Sequence, residues 1–300
     1  TTYMLQLGNI LRFGTAKLLS SVPSVEPVNL SYTLYTTTDV DNGTPPLIIM
    51  HGLFGSKKNW HTISKELQAN LVPRRQVIAV DVRNHGESPH SPYHTYQHMA
   101  QDVIQLLNHL NIKTTSLLGH SMGGRAILYL ALAFPHLVDR AFICDVSPVN
   151  SNLTSDPLYN TLQAMKNVEL LPNMSVAEGR KSATEQLFKT IPNTIVVNFL
   201  LQNLYKLDNG NFAWKLNISG LEANLENIVT FPEDVYSKQF RGPILFVCGT
   251  KSNFVSTSDV PFIKKLFPNA SVTWIDSGHV IHFERKEEMV LLALDFFKSN

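Results

Sequence analysis

Six short, mostly apolar runs constrain the fold of this chain more than any other feature. They sit in "LIIMHG", "QVIAVD", "TTSLLG", "RAFICDV", "PILFVCG" and "SVTWID". Such runs are too short for a stable helix. Most lack the alternation of a half-solvated strand, so they read as strands covered on both faces, as in a parallel sheet. Helical spacing separates them: "NWHTISKELQANL", a helix from about Tyr96 to Leu110, the run after Ser121, a helix near "DVPFIKKLF", and "ERKEEMVLLALDFFKS". One earlier segment, "VNLSYTLYTT", alternates apolar and polar residues as a half-buried strand does. Strand–helix alternation of this kind specifies an α/β fold. From about 148 to 240 it is interrupted by helical patterns such as "PLYNTLQAMKNVELL" and "NTIVVNFLLQNLYKL", with no convincing apolar strand. The expected organisation is an N-terminal segment (1–27), a mostly parallel sheet flanked by helices (28–147 and 241–300), and an inserted helical cap (148–240).

The 300 residues are enough for a large core, and 25 Lys and Arg against 24 Asp and Glu leave the chain near neutrality. That balance offers no electrostatic footprint for nucleic acid or for an acidic membrane. No apolar run approaches the length of a membrane span. "MLQLGNILRFGTAKLLSSVPSV" carries Arg12 and Lys17 and no acid before Glu26, which fits an organelle transit peptide or, equally, an amphipathic helix on the protein or a lipid surface. The two cysteines, Cys144 and Cys248, end apolar strand-like runs outside any CxxC pair and read as buried, reduced thiols.

Ser121 lies in Gly119-His120-Ser121-Met122-Gly123, between a strand-like and a helix-like run. In that context the pattern is a sharp turn with glycines flanking a strained central residue, whose hydroxyl projects at a helix N-terminus. A serine so placed becomes a nucleophile only with a base, and the base needs an orienting acid. His279, in a short loop after "SVTWI", reaches the same sheet edge; His282 starts the following helix and reads as packing or capping. The usual acid position, after "ILFVCG", holds no carboxylate: Ser252 stands there and Asp259 comes too late. Asp145, at the end of the adjacent strand, is the acid candidate, with local backbone bonding as its alternative role and Ser252 as an auxiliary partner. The N–H groups of Leu53 and Met122 are expected to form an oxyanion hole. His51 and His120 read as braces of these two loops. His85, His90, His94 and His98 read as solvated, and neither metal nor cofactor is expected. Phe54 and Trp60 are candidates for contact with substrate, and Phe212 and Trp214 offer apolar surface from the cap, although cap–core packing would use the same residues.

With "HGLFGSKKNW", "DVRNHGESPHS", "GHSMGG", "DVSP" and "GHVIHF" in place, the chain resembles the α/β-hydrolase superfamily. More narrowly, it resembles the family of abhydrolase domain-containing protein 11, with bacterial short-chain esterases and yeast ethanol acetyltransferases as relatives. The resemblance implies an α/β-hydrolase fold, a Ser121–Asp145–His279 triad, hydrolysis of esters or thioesters, and a mitochondrial setting in eukaryotic members; a cytoplasmic one is the alternative. It departs from the superfamily pattern in the missing acid after "ILFVCG".

Three functions are compatible with these residues. The first is a serine hydrolase of small-molecule or lipid esters working through an acyl-enzyme on Ser121. The second is an acyltransferase that passes the same acyl group to an alcohol or thiol. The third is a non-catalytic binding or adaptor protein on a hydrolase scaffold. Acyl chain length and oligomeric state are not written in the sequence.

Overall fold

The apolar runs pair as strands of one sheet. The computed structural model describes residues 25–41, 43–150 and 156–298. The two readings of the N-terminal segment concern residues 1–24 and so lie outside the described residues.

In chain order the sheet strands are β1 (Tyr32–Tyr35), β2 (Leu47–Met50), β3 (Val77–Val80), β4 (Thr115–His120), β5 (Val138–Cys144), β8 (Ile244–Gly249) and β9 (Ala270–Ile275). They line up as β1-β3-β2-β4-β5-β8-β9. Only β1 runs antiparallel to its neighbour; all other pairs are parallel. Every residue of β2, β3, β4 and β8 is buried, as the unbroken apolar runs require. On one face of the sheet pack α2 (Tyr96–His109), α3 (Met122–Ala133) and α9 (Val260–Leu266). The other face is covered by α1 (His61–Asn70) and α11 (Lys286–Phe296), which also touch each other. The final helical run is broken: α10 (Ile281–Glu284) precedes α11.

Strand order reverses between β2 and β4, because β3 lies to one side of β2 and β5 to the other side of β4. In open parallel sheets the loops at the strands' C-terminal ends diverge at such a point and leave a crevice there. Ser121 follows β4, and the Gly52–Gly55 loop follows β2.

Between β5 and β8 lie α4 (Asp156–Lys166), α5 (Val176–Phe188), α6 (Thr194–Leu201), α7 (Ile218–Glu222) and α8 (Leu225–Val229). The expectation of a strand-free insertion is corrected here by a small antiparallel hairpin, β6 (Leu204–Lys206) with β7 (Phe212–Trp214). Three-residue strands are too short to carry a period, which is why "LYK" and "FAW" escape a pattern reading. These elements share their own apolar cluster, including Leu162, Met165, Leu187, Leu200 and Leu221. Phe54, from the loop after β2, is part of that cluster. Both cysteines are buried, on opposite faces of the sheet, and burial pushes the Cys248 thiol up to about 12.

Candidate active site

The turn from β4 into α3 holds Ser121 at φ 52°, ψ −120°, a region that L-residues seldom occupy. Steric demand around it is severe. A Cβ at Gly123 would stand 2.5 Å from the Met50 carbonyl oxygen, and one at Gly119 would stand 2.8 Å from the backbone of Gly123. The glycines therefore let α3 start hard against β2 and β4. The Ser121 N–H donates to the Cys144 carbonyl at 3.0 Å, which ties the turn to the end of β5.

Asp145 follows at the end of β5, fully buried and also at positive φ (50°). Its carboxylate accepts from three donors. Gly249 N–H reaches Oδ1 at 2.8 Å, and Ser252 Oγ and His279 Nδ1 both reach Oδ2, the latter at 2.7 Å. An ionised carboxylate only accepts, so Nδ1 of His279 carries the proton and Nε2 presents a lone pair. That lone pair faces Ser121 Oγ at 3.0 Å. The His279 side chain is 24% exposed whereas Asp145 is sealed, so the acid is dry and the base open on one side. His120 donates from Nε2 to the His279 carbonyl at 2.8 Å and fixes that loop from below.

Leu53 and Met122 carry the two N–H groups at the crevice, and neither N–H has an acceptor among the described residues. The β2 loop closes through Gly55 N–H to the Gly52 carbonyl at 3.0 Å. Phe54 sits at its tip with φ 63°. Its N–H donates to His85 Nε2 at 3.2 Å and its carbonyl accepts from Asn203 Nδ2 at 2.9 Å. Asn203, just before β6, thus fastens the inserted segment to the loop; sequence pattern gave no signal for it. Lys57 anchors the same loop from behind through a buried ion pair with Asp81 and a bond from its own N–H to Asp81 Oδ1 at 2.7 Å. Arg125 of α3 is likewise buried. Among the described residues its acceptors are carbonyls: Ser147 at 3.1 Å and Val149 at 2.9 Å after Asp145, and Ile228 at 3.4 Å and Val229 at 2.6 Å at the end of α8.

Of the two candidate substrate contacts, Trp60 has a different placement from the one expected, and Phe54 takes the cap–core packing role that was its alternative. Trp60 is 1% exposed, in the cluster beneath α1 and α11, with its ring stacked 4.5 Å from His282. It ends the turn that leads into α1 and so falls on the side of the sheet that α1 covers, leaving no open face toward the crevice. Phe54 is buried within the insertion's apolar cluster. Leu53 is partly buried between that cluster and the main core.

The histidines also need correction. His85 and His94 are fully buried and His98 nearly so, not solvated. His51 donates from Nδ1 to the Gly52 carbonyl at 2.8 Å and accepts at Nε2 from Val82 N–H at 3.0 Å. His85 repeats the pattern, donating to the Arg83 carbonyl at 2.9 Å while Nε2 accepts from Phe54. Each imidazole is thus a neutral bridge between two backbone groups. Burial, the leading cause, holds His85 down at about 3 and also lowers His51, His94, His120 and His282. A stability consequence follows with a definite sign. Between pH 6.5 and about 3 the unfolded chain takes up a proton on His85 that the folded chain refuses, so stability falls as pH falls through that window. The slope is about 1.4 kcal/mol per pH unit for each such histidine. His85→Gln keeps an acceptor for Phe54 N–H and should flatten the slope by that increment in urea unfolding between pH 6.5 and 5. An unchanged slope would mean that His85 is charged in the folded protein.

A mostly parallel sheet with a strained serine after its central strand, facing a histidine–aspartate pair, defines a class, and the chain belongs to it: the alpha/beta hydrolase fold family, whose model matches residues 45–286. Among its relatives, the sn-1-specific diacylglycerol lipase ABHD11 of Danio rerio is 38% identical over 282 residues, covering 93% of this chain and 85% of that protein. Ethanol acetyltransferase 1 of Eremothecium cymbalariae is 32% identical over 308 residues, covering 95% and 85%. A solved marine microorganism esterase superposes with a TM-score of 0.81 at 30% identity, over 90% of this chain and 99% of that one. Among the described residues, no helix is long and apolar enough to cross a membrane.

Proposed function

We propose that this protein is a serine hydrolase of carboxylic esters, with lipid esters of the diacylglycerol kind as its substrate class. The observation that carries the reading is the continuous relay Asp145–His279–Ser121, with contacts of 2.7 and 3.0 Å. In this reading Ser121 Oγ attacks the ester carbonyl carbon while its proton passes to His279 Nε2. Asp145 holds the imidazole in the tautomer that can receive that proton and stabilises the imidazolium. The carbonyl oxygen becomes an oxyanion facing the N–H groups of Leu53 and Met122. Collapse breaks the bond to the alcohol oxygen, which leaves with the proton from Nε2, and the acyl group stays on Ser121. Water then gives a proton to Nε2 and its hydroxyl to the acyl carbon; collapse of this adduct breaks the bond to Ser121 Oγ, which takes the proton from Nε2, and the acid is released. The insertion, assigned to residues 148–240, acts as a cap over the acyl group, and the main sheet domain comprises 28–147 and 241–300. The sequence of the N-terminal segment and the family resemblance support a mitochondrial location, which imaging of a C-terminal fluorescent fusion against a matrix marker tests.

The acyltransferase relative favours a second reading, because the same acyl-enzyme can be discharged by an alcohol. Partition depends on how far water is excluded, not on the residue types of the triad. One experiment addresses both. A dioleoylglycerol emulsion is turned over with and without ethanol, and products are separated by mass spectrometry. Free oleate, blocked by a fluorophosphonate that labels the Ser121 peptide, is the expected outcome; ethyl oleate as main product would move the assignment to transfer. Absence of both products and of label would leave the adaptor reading.

A further inference from the structure

We propose that Phe254 is a positioning residue for His279, a role resting on the hydrolase reading above. The phenyl ring lies over the imidazole with centroids 3.5 Å apart and planes within 11°. The ring of His120, also close, is tilted by 43° at 4.7 Å and makes no such parallel contact.

The need for a face contact follows from the hydrogen bonds. His279 is held at Nδ1 by Asp145 and at Nε2 by Ser121, both in the plane of the ring. Two bonds at opposite edges fix that plane along one line but leave the ring free to tilt about it. A flat group against the face removes this freedom. An aromatic face also favours the imidazolium that forms during attack, and it keeps water off that side of the base.

Phe254 is itself held firmly. Its N–H donates to Ser252 Oγ at 3.2 Å, and that hydroxyl donates to Asp145 Oδ2. Lys251 N–H bonds the Ser277 carbonyl at 2.9 Å, two residues before His279, and Val255 is buried in the main core. The loop after β8 therefore contacts both partners of Ser121, the acid through Ser252 and the base through Phe254. A loop that lacks the carboxylate usual at its position retains a supporting part in the site.

The test compares Phe254→Ala, Phe254→Leu and Phe254→Tyr on p-nitrophenyl esters of graded chain length, with Ser121→Ala alongside. Rates of the Phe254 variants are expressed per site labelled to saturation by fluorophosphonate, so that unfolded molecules are not counted, and the rate of Ser121→Ala, which has no hydroxyl to label, per mole of protein shown to be folded by circular dichroism. Alanine and leucine should lower kcat about tenfold or more with little change in KM, because misplacement of a base acts on the chemical step. Tyrosine, which keeps the flat face, should restore kcat. Wild-type kcat in both the alanine and leucine variants would overturn the proposal, as would a KM that rises with acyl length at constant kcat, the mark of a pocket wall. If Ser121→Ala is inert while those variants are unimpaired, only the role of Phe254 fails. If Ser121→Ala still turns over, the hydrolase reading fails and this role with it.

Discussion

Ser121→Ala is expected to reduce kcat on p-nitrophenyl butyrate by a factor on the order of 10⁶, leaving only the residual rate that oxyanion donors and binding supply. The size of the effect follows from the unity of the relay. In the proposed mechanism, without Oγ the lone pair on His279 Nε2 has no proton to take and no acyl-enzyme can form. The fold should survive, since alanine at φ 52° is no worse than serine there. Ser121→Gly gives a sharper signature. It should be as inactive as alanine, yet more stable by about 1 kcal/mol, because glycine occupies this backbone region without strain. Urea unfolding with matched activity assays measures both quantities. A glycine variant no more stable than wild type would mean that the bend stores no strain, and a Ser121→Ala variant with wild-type turnover would remove Ser121 from the chemistry.

Much of this arrangement is legible in the sequence itself. The sheet was nearly complete in the sequence, because strands buried on both faces must be apolar throughout and "LIIM" and "VIAV" fit nothing else. The bend at Ser121 was legible for a related reason: close approach of α3 to β2 demands glycines at fixed positions beside it. Asp145 came from geometry rather than motif, since neighbouring parallel strands such as β5 and β8 deliver their ends to adjacent points. What escaped was set by tertiary contact alone. His85 and His94 look like loop residues until the inserted segment and the β2 loop close over them. Trp60 looks like a pocket wall until α1 turns it behind the sheet. Asn203 and Phe254 act through one hydrogen bond and one ring face, neither of which leaves a period in the chain.

Asp145→Asn is expected to lower kcat on the order of 10⁴-fold, the scale of the acid-to-amide change in a serine protease triad. Three donors converge on the buried carboxylate, and the one that matters for turnover is His279 Nδ1–H. An amide nitrogen facing Nδ1 would donate to it, forcing the imidazole proton onto Nε2, where it can no longer accept from Ser121 Oγ. Stability should change less, since the amide oxygen can still accept from Gly249 N–H. Ser252→Ala removes an auxiliary donor from Oδ2 and the acceptor of Phe254 N–H, and the first loss, a hydrogen bond to a charged group, corresponds to about tenfold. Steady-state kinetics on the two single variants ranks them. If Ser252→Ala were the worse of the two, the acid's part would belong to the loop after β8. The double variant Asp145→Asn with Ser252→Asp takes the argument one step further. Ser252 Oγ bonds the same carboxylate oxygen as His279 Nδ1, so a carboxylate at 252 starts within reach of the imidazole. It should regain turnover relative to Asp145→Asn alone, and in doing so move the acid one strand over. No recovery would mean that the imidazole accepts its partner only from the end of β5, where the positive φ of Asp145 aims the carboxylate.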